Sequence, residues 1–297
     1  MIKSENIMGI LQPPVPETDE APENDVTNNT ITLPLWGRLH FVRDSQGQLF
    51  VSGVVAYWMF GTFSTIFVLL HPAYEDGHVS LPVVYGFYAV SGLCLLSLMR
   101  ASLTNPGRIP SYDFSKHAET GWTLCQRCNR MRPPRSHHCR RCGQCVMRMD
   151  HHCPWINNCV GEDNHFAFVQ LLVYAFLLGF YSFILLMCHF WVFPKCNSCN
   201  RDAIYIKHGI WFMYVDFLLA LNIMFMMGVM VTQQHFHLII NRTTIETMLK
   251  PPKAKEITVR QTYTAYRELC GRGLPLFWWL PIGRRRPLLP TSHSQNV

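Results

Sequence analysis

Seven of the chain's twelve cysteines fall between Cys125 and Cys159, together with the histidine pairs His137-His138 and His151-His152. Thiolate and imidazole are donors that tetrahedral Zn²⁺ favours, and closed structural sites take four of them, commonly as pairs from separated turns. Grouping Cys125, Cys128, His138 and Cys145 leaves Cys139, Cys142, His152 and Cys159, which fills two Cys3His sites. Spacing alone leaves His137 exchangeable with His138 and His151 with His152. A disulfide-bonded knot is the competing use of these thiols, and a reducing cytosol excludes it.

Once eight ligands are assigned, Asp150, His151 and Cys153 remain, and a structural metal module does not need them. A cysteine becomes a nucleophile when a neighbouring histidine, cation or metal-ordered loop favours its thiolate, and a carboxylate can orient that histidine. Consecutive residues do not converge in an ordinary helix or strand. A turn clamped by metal on either side must therefore fold them inward.

The run Asp150-His151-His152-Cys153-Pro154-Trp155, inside this cysteine-rich segment, resembles the DHHC protein S-acyltransferases, the palmitoyltransferases. Arg132, Pro133, Ser136, the run Asn157-Asn158-Cys159-Val160-Gly161 and Asn164 extend the likeness. The resemblance implies the interleaved ligand partition given above, with two structural zinc ions. It also casts Cys153 as nucleophile, His151 as base and Asp150 as its orienter. A palmitoyl-CoA or related long-chain acyl-CoA would acylate Cys153, which would pass the acyl group to a substrate cysteine.

These groups need elements to position them. The chain has 297 residues, 49% of them hydrophobic, and a mean hydropathy of +0.08, the profile of apolar segments alternating with polar ones. Residues 1–34 are acidic and rich in Pro, Asn and Thr, and are expected to form a disordered tail without a cleavable signal peptide. Four spans follow, Leu49–Leu70, Val79–Met99, Phe166–Phe193 and Ile210–Thr232, each near the ~20 apolar residues that cross a bilayer. The expected fold is an all-α polytopic membrane protein. Helices 1 and 2 lie in 35–100, the catalytic metal domain in 101–165, helices 3 and 4 in 166–240, and a C-terminal region in 241–297. No internal repeat is expected. Arginines crowd the loop after the second span, whereas His71 to His78 has no Lys or Arg, so both termini and the cysteine-rich loop are assigned to the cytosol.

Outside the metal loop, Asn105-Pro106-Gly107 reads as a helix stop and stands where the family has Asp-Pro-Gly. Thr243-Thr244-Ile245-Glu246 matches the family's Thr-Thr-x-Glu. It is either a helix cap or a dock for the catalytic loop, with Thr244 near Asp150. Ala265 to Gly271 departs from the family pattern, and no site is assigned there. Phe277-Trp278-Trp279 followed by Arg284-Arg285-Arg286 is an interfacial segment or a packed aromatic cluster. Asp216 and Asn222 are expected to face the bundle interior, because polar groups are costly in hydrocarbon. Met224, Met226, Met227 and Met230, and the span cysteines Cys94 and Cys188, are expected to pack. Cys196 and Cys199 form a candidate disulfide on the opposite side of the membrane.

The function expected is thioester-dependent S-acylation of membrane-associated proteins with cytosolic cysteines, at a Golgi, endoplasmic reticulum or plasma membrane. The scheme has two covalent steps, and the chain would work at the bilayer surface. Arg132, Arg135 and His137 are candidate contacts for the CoA headgroup. A membrane-anchored zinc adaptor would leave Cys153 idle. The net charge of +7 does not make this a nucleic-acid binder, given four spans beside the metal loop.

Overall fold

Four apolar runs become long helices because a chain in hydrocarbon must satisfy its backbone internally. The computed structural model describes residues 30–33, 37–109, 121–193, 202–250, 258–271 and 278–280. Most of the N-terminal tail, the Cys196 and Cys199 pair, Phe277 and Arg284 to Arg286 lie outside them. Among the described residues, Ser45–Glu75, Leu81–Leu103, His165–Trp191 and Gly209–Ile239 are long and apolar enough to cross a membrane. The chain is a multi-pass membrane protein.

The first span is α1 (Ser45–Phe63), a π-helical segment (Ser64–Leu70) and α2 (His71–Glu75) in unbroken succession. It runs beyond the expected Leu49–Leu70 at both ends. α3 (Leu81–Leu103) starts after an extended Ser80 with Pro82 in its first turn, a position where a missing N–H costs nothing. Asn105 stops it: its Oδ1 accepts from the N–H groups of Gly107 and Arg108 at 3.1 and 3.0 Å. The amide thus makes the turn that a carboxylate would make at that position. α4 (His165–Trp191) packs against both α3 and α6 (Gly209–Ile239), with the short α5 (Ile204–Lys207) leading into α6. At Gly179 a Cβ would lie 2.3 Å from Ile223 Cγ2, so glycine is what lets α4 and α6 approach.

Asp216 faces inward as expected, buried at 3% exposure and accepting from Thr65 Oγ1 at 3.0 Å. Asn222 does not: it is exposed on α6. Six residues turn a helix by about 600°, which leaves the two side chains ~120° apart. One face of α6 cannot bury both. Met227 and Met230 pack on the bundle core, whereas Met226 is exposed. Cys94 is buried with Tyr174 and Ala175 as expected.

The tail differs from expectation at its end, where β1 (Thr30–Leu33) pairs antiparallel with β2 (Gly37–His40). Among the described residues between α3 and α4 lie three small hairpins: β3 (Thr123–Cys125) with β4 (Arg130–Arg132), β5 (His137–Cys139) with β6 (Gln144–Val146), and β7 (His151–Cys153) with β8 (Asn158–Val160). They start at 123, 137 and 151, and their turns place Asn129, Gly143 and Asn157 at φ of 48°, 64° and 47°. The metal loop is therefore an internal repeat, contrary to expectation. The repeat is faint in the sequence because the unit is far shorter than common repeats and its third copy keeps only one cysteine of the Cys-x2-Cys pair. Gly161 closes the loop onto the turn that follows α3, since a Cβ there would sit 2.3 Å from the Pro106 carbonyl. α7 (Thr244–Leu249) and α8 (Val259–Cys270) follow α6, and α8 packs against α4 and α6.

Candidate active site and metal centres

The hairpins set the ligands by register. His138 faces Cys145 across the second hairpin, and His152 faces Cys159 across the third. The Cys-x2-Cys turn of the preceding hairpin completes each group. Cys125, Cys128, His138 and Cys145 form one cluster and Cys139, Cys142, His152 and Cys159 the other, with all ligand atoms within 4.8 Å of one another. In the first cluster His138 Nδ1 lies 3.7, 3.1 and 3.8 Å from the three sulfurs, and Cys145 and Cys128 sulfurs are 3.7 Å apart. In the second, His152 Nδ1 lies 3.7, 3.3 and 3.8 Å from its sulfurs, and Cys159 and Cys142 are 3.4 Å apart. A tetrahedron with bonds of about 2.3 Å to sulfur and 2.0 Å to nitrogen has edges of about 3.5 to 3.8 Å. Both groups can hold a metal ion of that size. His137 and His151 are left outside the clusters.

Register also determines what faces away from the metals. Cys153 closes β7, is 3% exposed, and belongs to an apolar cluster with Leu98, Ala101, Ile156, Phe168 and Leu172. Its sulfur therefore sits against the membrane bundle, not in either metal cluster. Trp155 beside it is exposed and packs edge-on against Phe50 of α1, with centroids 4.8 Å apart. Asn158 Nδ2 donates to the carbonyls of Ala101, Ser102 and Thr104 at 3.2, 3.1 and 2.9 Å, meeting the C-terminal end of α3. Asn164 Nδ2 donates to Ala101 and Cys159 carbonyls, and its Oδ1 accepts from Gly161 N–H. These two buried amides lock the loop to α3 by using orphan carbonyls at a helix end.

Asp150, 1% exposed, accepts from His151 Nδ1 at 2.8 Å. Thr244 donates to it twice, through its N–H to Oδ1 at 2.6 Å and its hydroxyl to Oδ2 at 3.0 Å. Burial pushes the Asp150 carboxyl up, but the His151 bond, nearby histidine charge and the Thr244 N–H outweigh it and hold the group well below the usual carboxylate range. For His151, burial pulls the pKa down. Hydrogen bonds to Asp150 and Cys153 and their charges reverse this and raise it to about 9. The imidazole stacks edge-on to Phe168 at 5.3 Å. With Nδ1 committed to Asp150, its other nitrogen is the one available to the sulfur. A buried carboxylate, an imidazole of raised basicity and a thiol in sequence can carry out nucleophilic acyl transfer.

The Thr-Thr-x-Glu segment does both things expected of it as alternatives. Thr243 and Glu246 form a reciprocal capping box for α7, while Thr244 reaches Asp150. Glu246 also pairs with Arg135 through Nε at 2.7 Å and Nη2 at 2.9 Å, and Arg135 bonds Asn241 as well. The guanidinium expected to face a CoA headgroup is thus engaged in docking α7. Arg132 Nε donates to Thr123 Oγ1 on an exposed hairpin, and His137 is lowered by burial and then by Arg132. Trp278 and Trp279 carbonyls accept from Gln170 and Tyr174, so this part of the aromatic run packs on α4.

The family model described as DHHC palmitoyltransferase matches residues 118–251, the stretch holding both metal clusters, Asp150, His151, Cys153 and Thr244. Palmitoyltransferase ZDHHC21 of Bos taurus is 38% identical over 260 residues, covering 87% of this chain and 98% of the relative. The Homo sapiens ZDHHC21 is 37% identical over the same shares. The chain belongs to the DHHC palmitoyltransferase family. It is a protein-cysteine S-acyltransferase, with protein substrates and acyl donors as partners and a bilayer as its setting. Palmitoyltransferase ZDHHC3 of Homo sapiens is a more distant relative, 31% identical over 180 residues, or 54% of this chain and 58% of that one.

Sequence reasoning on this DHHC chain passed over Gln234, which donates to Asp150 Oδ2 at 2.9 Å from α6. The fourth span was expected to end at Thr232, so Gln233 and Gln234 read as its polar edge. Only the helix phase separates the buried one from its exposed neighbour. Likewise Asn158 and Asn164 were seen as part of a motif, with no role attached.

Proposed function

We propose that this DHHC palmitoyltransferase moves a long-chain acyl group from acyl-CoA to Cys153 and then to a cysteine of a membrane-associated protein. The observation that carries the reading is the burial of Cys153 against membrane helices with His151 and Asp150 in line behind it. An apolar tail belongs among Leu98, Phe168 and Leu172, and a CoA headgroup belongs in water, so the thioester reaches the sulfur at the boundary.

His151 takes the Cys153 proton as the sulfur attacks the thioester carbonyl. A carbon–sulfur bond forms to Cys153, the bond to CoA sulfur breaks, and the proton passes to the departing CoA thiolate. The second step repeats this with a substrate thiol, whose proton reaches Cys153 through the same imidazole. Asp150 fixes the His151 tautomer and supports its positive charge. Zinc, held by the two Cys3His clusters, would supply structure and leave no open position for substrate. Arg132, Arg135 and His137 are the candidates for the headgroup phosphates, with Arg135 already paired to Glu246.

The loop between α3 and α4 carries Arg127, Arg130, Arg132, Arg135, Arg140, Arg141 and Arg148, and on this bias we assign it and both termini to the cytosol. The compartment we propose is a Golgi or endoplasmic reticulum membrane, with the plasma membrane as the alternative. The test is intact-mass analysis of detergent-solubilised protein after incubation with palmitoyl-CoA. A hydroxylamine-labile adduct on the native chain that is absent from Cys153→Ser is expected. An adduct that survives the substitution would refute Cys153 as acyl carrier.

A further inference from the structure

Gln234 is 4% exposed on α6, a helix with only 11% of its membrane window buried. A buried primary amide needs partners at both ends. Its Nε2 lies 2.9 Å from Asp150 Oδ2 and its Oε1 2.7 Å from His165 Nε2. A carboxylate only accepts, which fixes the orientation of the amide and requires that His165 carry its hydrogen on Nε2. Asp150 Oδ2 then receives three donors, from His151 on β7, Thr244 on α7 and Gln234 on α6.

We propose that Gln234, oriented by His165, is a positioning residue that holds Asp150 so that His151 presents its free nitrogen to Cys153. This rests on the catalytic reading above and adds to it a membrane-helix contribution to the base. Thr244 belongs to a six-residue helix capped at the surface, whereas Gln234 stands on a membrane helix. Met227, Met230 and Val231 precede Gln234 by seven, four and three residues, on the same face of α6, and pack against the cluster around Cys153. One helix face therefore contacts both the surroundings of the sulfur and the carboxylate that orients its base.

The test measures the rate of Cys153 acylation by palmitoyl-CoA in purified full-length protein across pH 6 to 8.5, with metal content and half-saturating acyl-CoA recorded for each variant. Gln234→Leu should keep two metal ions and an unchanged half-saturation while acylating about tenfold more slowly, the scale for a lost hydrogen bond to a charged group. Gln234→Glu should be slow at pH 8, where its carboxylate faces that of Asp150. Its rate relative to wild type should climb toward pH 6, as the neutral carboxyl regains a donor. Asp150, His151, His165 and, through Thr244, His237 surround the position, and the ratio to wild type removes their shared titration.

A Leu variant within twofold of wild type, or a Glu variant with a pH-independent ratio, would overturn the proposal. If the Leu variant loses its metals, the Glu ratio alone decides. Cys153→Ser run in parallel separates the two claims: an adduct on that variant would defeat the catalytic reading on which this one rests, whereas an adduct confined to Cys153 with an unaffected Leu variant would defeat this one alone.

Discussion

Cys139 and Cys153 occupy the same place in consecutive hairpins, each closing a strand of His-His-Cys, yet they have different neighbours. Cys139 turns into a metal cluster with Cys142, His152 and Cys159. Cys153 would begin a third such cluster, but the residue three further on is Ile156 instead of cysteine. Ile156 is buried among Leu98, Ala101 and Phe168, so the turn that chelates in one copy docks on the membrane bundle in the next. The same substitution of roles occurs at the other matched positions. Ser136, whose hydroxyl caps the Pro133 carbonyl, becomes Asp150; Gln144 becomes Asn158, which holds the end of α3. A metal-binding unit becomes a reactive one when its sulfur loses competing ligands and gains a histidine with a carboxylate behind it.

The largest expected effect breaks the shared scaffold. Cys142→Ser should reduce the metal count from two to one, abolish acylation and cost several kcal/mol of stability, since structural zinc contributes on the order of 10 kcal/mol to small domains. Metal analysis with thermal unfolding checks this; two bound ions in an active variant would contradict it. Ile156→Ala tests the matched position in the third turn. It should retain both metals but lose about 3 kcal/mol, the cost of emptying a buried apolar site. A loss of metal there would mean that the two turns are not separable.

Asp150→Asn should slow Cys153 acylation about a hundredfold, within the range of general acid–base contributions. Ser136→Ala at the matching position should change it less than about twofold, and single-turnover rates for the pair decide. Comparable losses would erase the distinction between the hairpins. The smallest effect concerns the dock. Burial pushes the Glu246 carboxyl up, but Arg135 and the Thr243 N–H outweigh it and leave it below its ordinary value. Its contribution is therefore present above the unfolded value of 4.5 and lost as pH falls through the lower folded one. Glu246→Gln should cost about 1 kcal/mol at pH 7, a partly exposed pair being weak, and the gap to wild type should close in acid. A gap that widens as pH falls would reverse the assignment.

Much of this was legible in the chain. Ligand types and four spans follow from composition and spacing, because metal chemistry and hydrocarbon solvation admit few solutions, while the roles of Asp150, His151 and Cys153 are what the family resemblance implies. Helix phase was less legible. Asn222 and Gln234 are both polar residues on α6, and only its ~100° step per residue exposes the first and buries the second. The Arg135–Glu246 pair was illegible for a related reason: a guanidinium suits a phosphate and a carboxylate equally, and Glu246 lies 111 residues away in the chain. The repeat was legible in principle, from cysteines at 125 and 128 recurring at 139 and 142, but its third copy is marked by what replaces the ligand.

The most direct test compares Cys139→Ser with Cys153→Ser in the same preparation, measuring bound metal by native mass and acyl adduct after palmitoyl-CoA. Cys153→Ser should keep two metal ions, remain folded and carry no hydroxylamine-labile adduct, whereas Cys139→Ser should lose a metal ion. Loss of metal from Cys153→Ser, or an acyl adduct on it, would contradict the account.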